Sequence, residues 1–331
     1  MKQRKPGIIL LILSALLAGL FLFSFIFGHY DVPLREVIRI LFTGHSDDPR
    51  MFAAVSNIRL PRILMACLVG CSLSAAGAAF QSVFQNPMAS PDILGASSGA
   101  CFGAALAILM NFPHSGITLF AFLFSLLSVA LVYLIGSVSR RNRVVAVLLA
   151  GIMVSSLFSA GTSYIKLVAD PSNQLPAITY WLMGSLSGTR KSDVSFVIWP
   201  MLIGLIPLLL LRWRINLLAL SEEEAETMGV HTGRLRLTVI LCATLLTAAA
   251  VSVSGMIGWI GLVIPHLCRK MVGSDCRWLF PAVMIFGASF LLLVDNISRN
   301  LLAVEIPIGI LTAFIGAPFF IFLMTRKESG I

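Results

Sequence analysis

Long apolar runs divided by short polar clusters recur from one end of the chain to the other. A membrane-crossing helix needs about 20 predominantly apolar residues. Ten runs are read as such spans: 7–28, 61–84, 93–110, 117–138, 144–168, 194–211, 235–253, 257–270, 278–294 and 306–325. The run 93–110 is rich in Gly, Ala and Ser, and 257–270 is short and carries Pro265. Hydropathy alone therefore gives eight to ten spans. The predicted fold is all-α: a polytopic membrane protein of about ten transmembrane helices in one domain covering residues 1–331.

Composition agrees with lipid as the solvent. Of 331 residues, 58% are hydrophobic and 12% are charged. Soluble domains are nearer half apolar and a quarter charged. The net charge of +9 does not mark a nucleic-acid binder, because the charges lie in clusters between apolar runs. The first run follows the basic stretch Met1-Lys-Gln-Arg-Lys5. It exceeds the apolar core of a secretory signal, about 7–15 residues, and is read as an uncleaved span. With ten spans and an inside N-terminus, fifteen of the 24 Lys and Arg residues fall inside and nine outside. Basic residues concentrate on the cytoplasmic side, so both termini are placed there. The exception is a basic first external loop holding Arg35, Arg39, Arg50, Arg59 and Arg62.

Small residues crowd Gly70–Ala79 and Gly95–Ala100, which predicts close helix–helix packing in lipid. The fifth run, 144–168, is rich in Ser, Ala, Gly and Met and is placed beside a central path. Lys166 near its outer end either snorkels to the interface, the preferred reading, or touches an anionic solute. Cys67 and Cys71 are four apart, but no Cys or His stands at a zinc spacing from them, so they read as packing residues. No metal site and no cofactor of the chain's own is expected.

Two polar segments interrupt the pattern on the inside. Pro87 biases Asn86 away from helix, so the chain breaks at Asn86-Pro87-Met88; a simple turn and a constriction of the inner mouth both fit. Between the sixth and seventh runs lies Asn216–Gly229, with the densest acidic cluster of the chain. Asn216 is placed to cap a short helix over Leu217–Leu220. Ser221 and Glu224 form a capping box for a second, Glu222 and Glu223 suit its N-terminus, and Gly229 stops it. Leu217, Leu218, Leu220, Ala225 and Met228 have no core within so short a loop. Either the segment folds back on the membrane surface, or its apolar face enters a groove on a cytoplasmic partner.

Catalytic signatures are missing. The chain has no Gly-x-x-x-x-Gly-Lys-Ser/Thr loop and no His-Glu-x-x-His, and its five histidines are scattered. Asp92 and Asp295 lie at predicted span ends, which leaves little for a proton relay.

The landmarks Arg59-Leu-Pro-Arg62, Gln81–Gly95, Trp181–Ser185, Asn216–Gly229, Gly258–His266 with Arg269, Glu305–Thr312 and Gly316–Phe320 run in a fixed order along nearly the whole chain. In these the chain resembles the FecCD-like permeases of bacterial ABC importers for ferric siderophores, haem and cobalamin. Met88, Ser221, Met256, Trp259 and Cys276 depart from the family's usual residues. The resemblance implies a type II importer permease in the bacterial or archaeal cytoplasmic membrane, paired with a second copy. Two cytoplasmic ATPase subunits binding ATP and Mg, an extracytoplasmic binding protein and a metal-chelate substrate complete the system, with a ferric siderophore the expected cargo. It also makes Asn216–Gly229 the element that couples to the ATPase. It makes Arg59, Arg62 and Arg299 the groups that meet carboxylates of the binding protein, through bidentate and directional pairs.

Overall fold

The computed structural model describes residues 6–26, 28, 30–137, 143–220, 222–302 and 304–325. Among these residues every regular element is helical. In chain order they are α1 (Pro6–Ser24), α2 (Leu34–Thr43), α3 (Pro49–Phe52), α4 (Leu60–Val83), α5 (Ala96–Leu109), α6 (His114–Ser137), α7 (Arg143–Val168), α8 (Gln174–Leu182), α9 (Lys191–Ile215), α10 (Glu222–Thr227), α11 (Thr232–Ser254), α12 (Ile260–Val272), α13 (Cys276–Asn300) and α14 (Ile308–Thr325). A π-helical segment, Ala53–Arg59, fuses α3 to α4 into one rod of 35 residues. At 1.5 Å per residue it is about 52 Å long, well beyond a hydrocarbon core of about 30 Å.

Ten of these helices fall on the ten predicted runs. Seven described helices are long and apolar enough to cross a membrane: α1, the α3–α4 rod, α6, α7, α9, α11 and α13. The other three are shorter or more polar. α5 has 14 residues and is preceded by a 3-10 turn, Pro91–Leu94. α12 has 13 residues and ends in Arg269 and Lys270. Non-helical backbone at such depth is tolerated where protein surrounds it, and Pro91 and Leu94 are buried.

The rod, α11 and α13 form the centre, and α1, α6, α7 and α9 lie outside with most of their apolar side chains unburied. α4 is buried on nearly every face, as an apolar helix without an amphipathic stripe should be. Its small residues permit this. A Cβ at Gly70 would stand 2.3 Å from the Gly287 carbonyl oxygen, and one at Gly77 1.9 Å from that of Gly261. The backbones of α13 and α12 thus press directly on α4, which is how small residues drive helix association in lipid.

Candidate functional site

At the end of the bundle predicted to face outward, α4 and α13 converge on an ionic cluster. Arg62 Nε donates to Asp295 Oδ1 at 2.9 Å, and its Nη1 to Glu305 Oε1 at 2.8 Å. Arg299, one turn beyond Asp295 on α13, brings its Nε within 3.1 Å of Asp295 Oδ2. Arg299 also donates to Asn296, and Asn296 Nδ2 donates to Ser24 Oγ at 2.6 Å, which ties in the end of α1. Arg59 donates to the carbonyls of Phe25 and Tyr30. The structure brings together all three arginines expected to dock a binding protein, but not as surface groups. Arg59, Arg62 and Arg299 are 4%, 5% and 6% exposed, and Asp295 is fully buried. For Arg62 and Arg299 the internal carboxylates of Asp295 and Glu305 supply the pairing that a buried charge requires, and Arg59 is held by two backbone carbonyls. Asp295 is likewise no free span-end acid but the centre of the cluster.

A separate, open hollow of about 690 Å³ lies between α12, α14 and the 3-10 turn Pro91–Leu94. Met183 and Met256 border it beside Trp259 at the start of α12, Phe314 on α14 and Asp92 in the 3-10 turn. Asp92 supplies its lone carboxylate, which accepts a hydrogen bond from Ser97 at the start of α5. Trp259 has φ +71°, a conformation that costs a non-glycine residue of order 1–3 kcal/mol. Its ring is held against Phe320 of α14, with centroids 6.3 Å apart.

At the opposite end, α4 closes with Gln85 at φ +47°. The Met88 N–H donates to Asn86 Oδ1 at 2.9 Å, and the Ala89 N–H to the Asn86 carbonyl at 3.0 Å. Asn86-Pro87-Met88 is therefore an Asx-type turn with all three residues exposed.

The segment predicted to couple to an ATPase holds two short helical pieces, as its sequence suggested: a 3-10 turn Asn216–Ala219 and α10, with Leu220 extended between them. Gly229 takes φ +76° just past α10. Ser221 lies outside the described residues, as do the side chains of Glu222 and Glu223; Glu224 is exposed. Two expectations are corrected. Asn216 does not cap its own turn. Its amide donates to Asp275 Oδ1 and accepts from the Cys276 N–H, both at 2.8 Å, and so caps α13 instead. Nor do all five apolar residues face outward. Leu217, Leu218 and Ala225 are buried in the bundle, and Gln85 donates to the Leu218 carbonyl. Leu220 and Met228 remain exposed. Asp275 lies just outside the span. Burial pushes its carboxyl up, but the Arg277 N–H and the Asn216 amide outweigh that and hold it below the usual carboxylate range.

These features sit on a recognised sequence pattern: the model of the FecCD transport family matches residues 15–326. The chain belongs to the FecCD transport family. Its relatives include a molybdate import system permease of Haemophilus influenzae, 40% identical over 92% of this chain and 91% of the relative. A probable iron chelatin transport system permease of Helicobacter pylori is 41% identical, covering 83% of each chain. A hemin transport system permease of Yersinia pestis is 37% identical over 82% and 83%. Among solved structures, the FecCD fold here matches a protein assigned as a metal-chelate type ABC transporter in an inward-facing conformation. That match has a TM-score of 0.87 and 39% identity over 97% of this chain and 99% of the other. The chain is thus a multi-pass membrane permease of an ABC importer, a transport component. Sequence reasoning did not assign roles to Asp295, Glu305 or Asn296. The i, i+4 spacing of Asp295 and Arg299 on one helix was the available signal.

Proposed function

We propose that this FecCD permease carries a bulky iron chelate, most simply a ferric siderophore, inward across the cytoplasmic membrane. It works as a pair of identical copies, both termini inside. Two cytoplasmic ATPase subunits bind ATP and Mg and engage the Asn216–Gly229 segment, and an extracytoplasmic binding protein delivers the ligand. Asn86, Pro87 and Met88 line the inner mouth. The exposed Leu149, Ile152, Met153 and Leu157 of α7 support a second copy or the path against that face.

The observation that carries the chelate reading is the cavity. Methionine and aromatic walls suit the organic shell of a large ligand, as in other small-molecule sites. A molybdate-like oxyanion, the cargo named for the Haemophilus relative, is the rival cargo that the uptake test addresses. Docking through Arg59, Arg62 and Arg299 requires that their guanidiniums leave Asp295, Glu305 and the Phe25 and Tyr30 carbonyls.

The test is uptake by proteoliposomes holding the permease with its ATPase and binding protein. A ferric hydroxamate should enter with ATP, and should still enter when the proton gradient is collapsed. Uptake of molybdate in its place, or uptake that follows the proton gradient without ATP, would overturn the proposal.

A further inference from the structure

Helix α2 takes no part in the cluster, the cavity or the coupling segment, yet its sequence divides into three faces. At 3.6 residues per turn, Leu34, Ile38 and Phe42 fall within an arc of about 80°. All three are exposed, Phe42 at 86%. Val37 and Ile40, on a second arc, are its buried residues, and α2 packs on the Ala53–Arg59 segment. Arg35, Arg39 and Thr43 form a third, polar arc, and all are exposed. Arg39 is engaged by Asp47 at 2.6 and 3.2 Å, whereas Arg35 stands beside the apolar stripe.

We infer that α2 lies in the headgroup layer of the bilayer, with Leu34, Ile38 and Phe42 in the acyl boundary and Arg35 toward phospholipid phosphates. Three observations select lipid as the occupant. First, α2 starts ten positions after the end of α1, a span whose last turns expose Leu22 and Phe23, with Ile26 just beyond, so a short connection joins α2 to a lipid-facing helix end. Second, α2 packs on the part of the rod just beyond Leu60–Val83. That 24-residue portion is about 36 Å long and already covers a hydrocarbon core of about 30 Å, which sets α2 at the membrane boundary. Third, a basic residue beside an exposed apolar stripe is the pattern of interfacial helices, and a guanidinium pairs with phosphate in directional fashion. The inference rests on the membrane-spanning fold and is independent of the cargo. In the proposed orientation the leaflet is the outer one, and the helix braces the α1–rod corner beside the arginine cluster.

Spin labels test it, placed singly at Arg35→Cys, Ile38→Cys, Phe42→Cys and His45→Cys, with half-buried Cys67 and Cys71 replaced by Ser. The full chain is reconstituted with its ATPase in phosphatidylethanolamine–phosphatidylglycerol vesicles. The ratio of oxygen to aqueous nickel-chelate accessibility should be several-fold higher at 38 and 42 than at 35 and 45. A water-like ratio at 42 overturns the inference. So does dipolar broadening between two copies, or occlusion that appears only with the binding protein. Phe42→Trp gives a second readout. Shallow-brominated lipid should quench its added fluorescence more than deep-brominated lipid, and absence of quenching by both overturns the inference as well.

Discussion

At one end of α4, Arg62 is held by carboxylates of α13 and of the segment before α14. At the other, Gln81 Nε2 reaches the Gly261 carbonyl at 3.3 Å while its Oε1 accepts from the Arg269 guanidinium, and Gln85 reaches the Leu218 carbonyl. Both ends join the same central helix to its neighbours, but with different strengths. Removing one partner of a buried ion pair costs about 3–5 kcal/mol, because a charge is left unpaired. Losing a neutral hydrogen bond costs about 1 kcal/mol. The first end is a carboxylate-centred clasp across α1, α4, α13 and the approach to α14; the second has one charge-assisted bond, Arg269 to the neutral Gln81 amide, worth about 1.5–3 kcal/mol, and otherwise single neutral hydrogen bonds beside exposed Leu220 and Met228. A permease driven from the inside is served by that difference. Motion begins where contacts are cheap to exchange and is resisted where they are not.

The largest expected effect comes from breaking the clasp at its centre. Asp295→Ala leaves the Arg299 guanidinium without a carboxylate and Arg62 with Glu305 alone, both no more than 6% exposed, and should cost about 3–5 kcal/mol. Thermal unfolding in detergent should move down by several degrees or the protein should fail to accumulate. An unchanged transition would mean that the cluster is not closed in the membrane. Next, Ala225→Pro puts a helix-breaking residue, worth about 3 kcal/mol locally, at a fully buried position of α10. The expected result is loss of ligand-stimulated ATP hydrolysis by the complex, with normal membrane insertion and a melting transition lowered less than in Asp295→Ala. Normal transport by this variant would remove the coupling role from the segment.

How much of this was legible in the sequence follows the range of each interaction. The seven long apolar helices were legible from hydropathy, a local property, whereas hydropathy alone left the total at eight to ten because α5 and α12 are short. Also legible were the break at Asn86-Pro87-Met88, which proline chemistry sets within three residues, and the stop at Gly229, which needs only a positive φ. The crowding of Gly70–Ala79 announced close helix contact but not the partners, Gly287 and Gly261. What local pattern cannot carry is pairing over distance. Arg62 meets Asp295 and Glu305 across 233 and 243 positions, so the carboxylates that hold the arginine could not be read from the pattern. Asn216 looked like a local cap, but its partners lie 59 and 60 positions away. Leu217 and Leu218 were rightly seen to need cover; the pattern could not tell that the bundle itself supplies it.

Glu305→Gln sharpens the comparison from the clasp side with a smaller change. Glu305 is the more accessible of the two carboxylates, its side chain 27% exposed against 0% for Asp295. The substitution keeps the shape and a hydrogen-bond acceptor but removes the charge from Arg62. A cost of about 1 kcal/mol is expected, below the 1.5–3 of a fully buried charged hydrogen bond, because solvent screens the partner. If the binding protein engages Arg62, its affinity for the reconstituted permease should rise, since less is lost in releasing the guanidinium. Surface-immobilised binding should show a slower dissociation rate. Weaker binding would place the docking contact elsewhere.

The smallest effect on stability belongs to the other end. Leu220 and Met228 are exposed at 37% and 54%, so replacing both with Ser removes little apolar contact within the chain. Surface changes of this kind usually stay within about 0.5 kcal/mol. Melting of the permease alone should therefore be unchanged. Binding is a different matter, because an exposed pair of this type gains its burial only against a partner. Truncating a buried apolar anchor in an interface commonly costs more than 1 kcal/mol, so co-purification of the ATPase with the Leu220→Ser, Met228→Ser variant should fall roughly tenfold or more in affinity for about 1.4 kcal/mol lost. The contrast decides between the two fates open to these side chains. If the pair instead rests on the bilayer surface, ATPase affinity is kept and only the depth of the loop changes. Full retention of the ATPase would thus assign Leu220 and Met228 to lipid and leave coupling to the polar residues of the same segment.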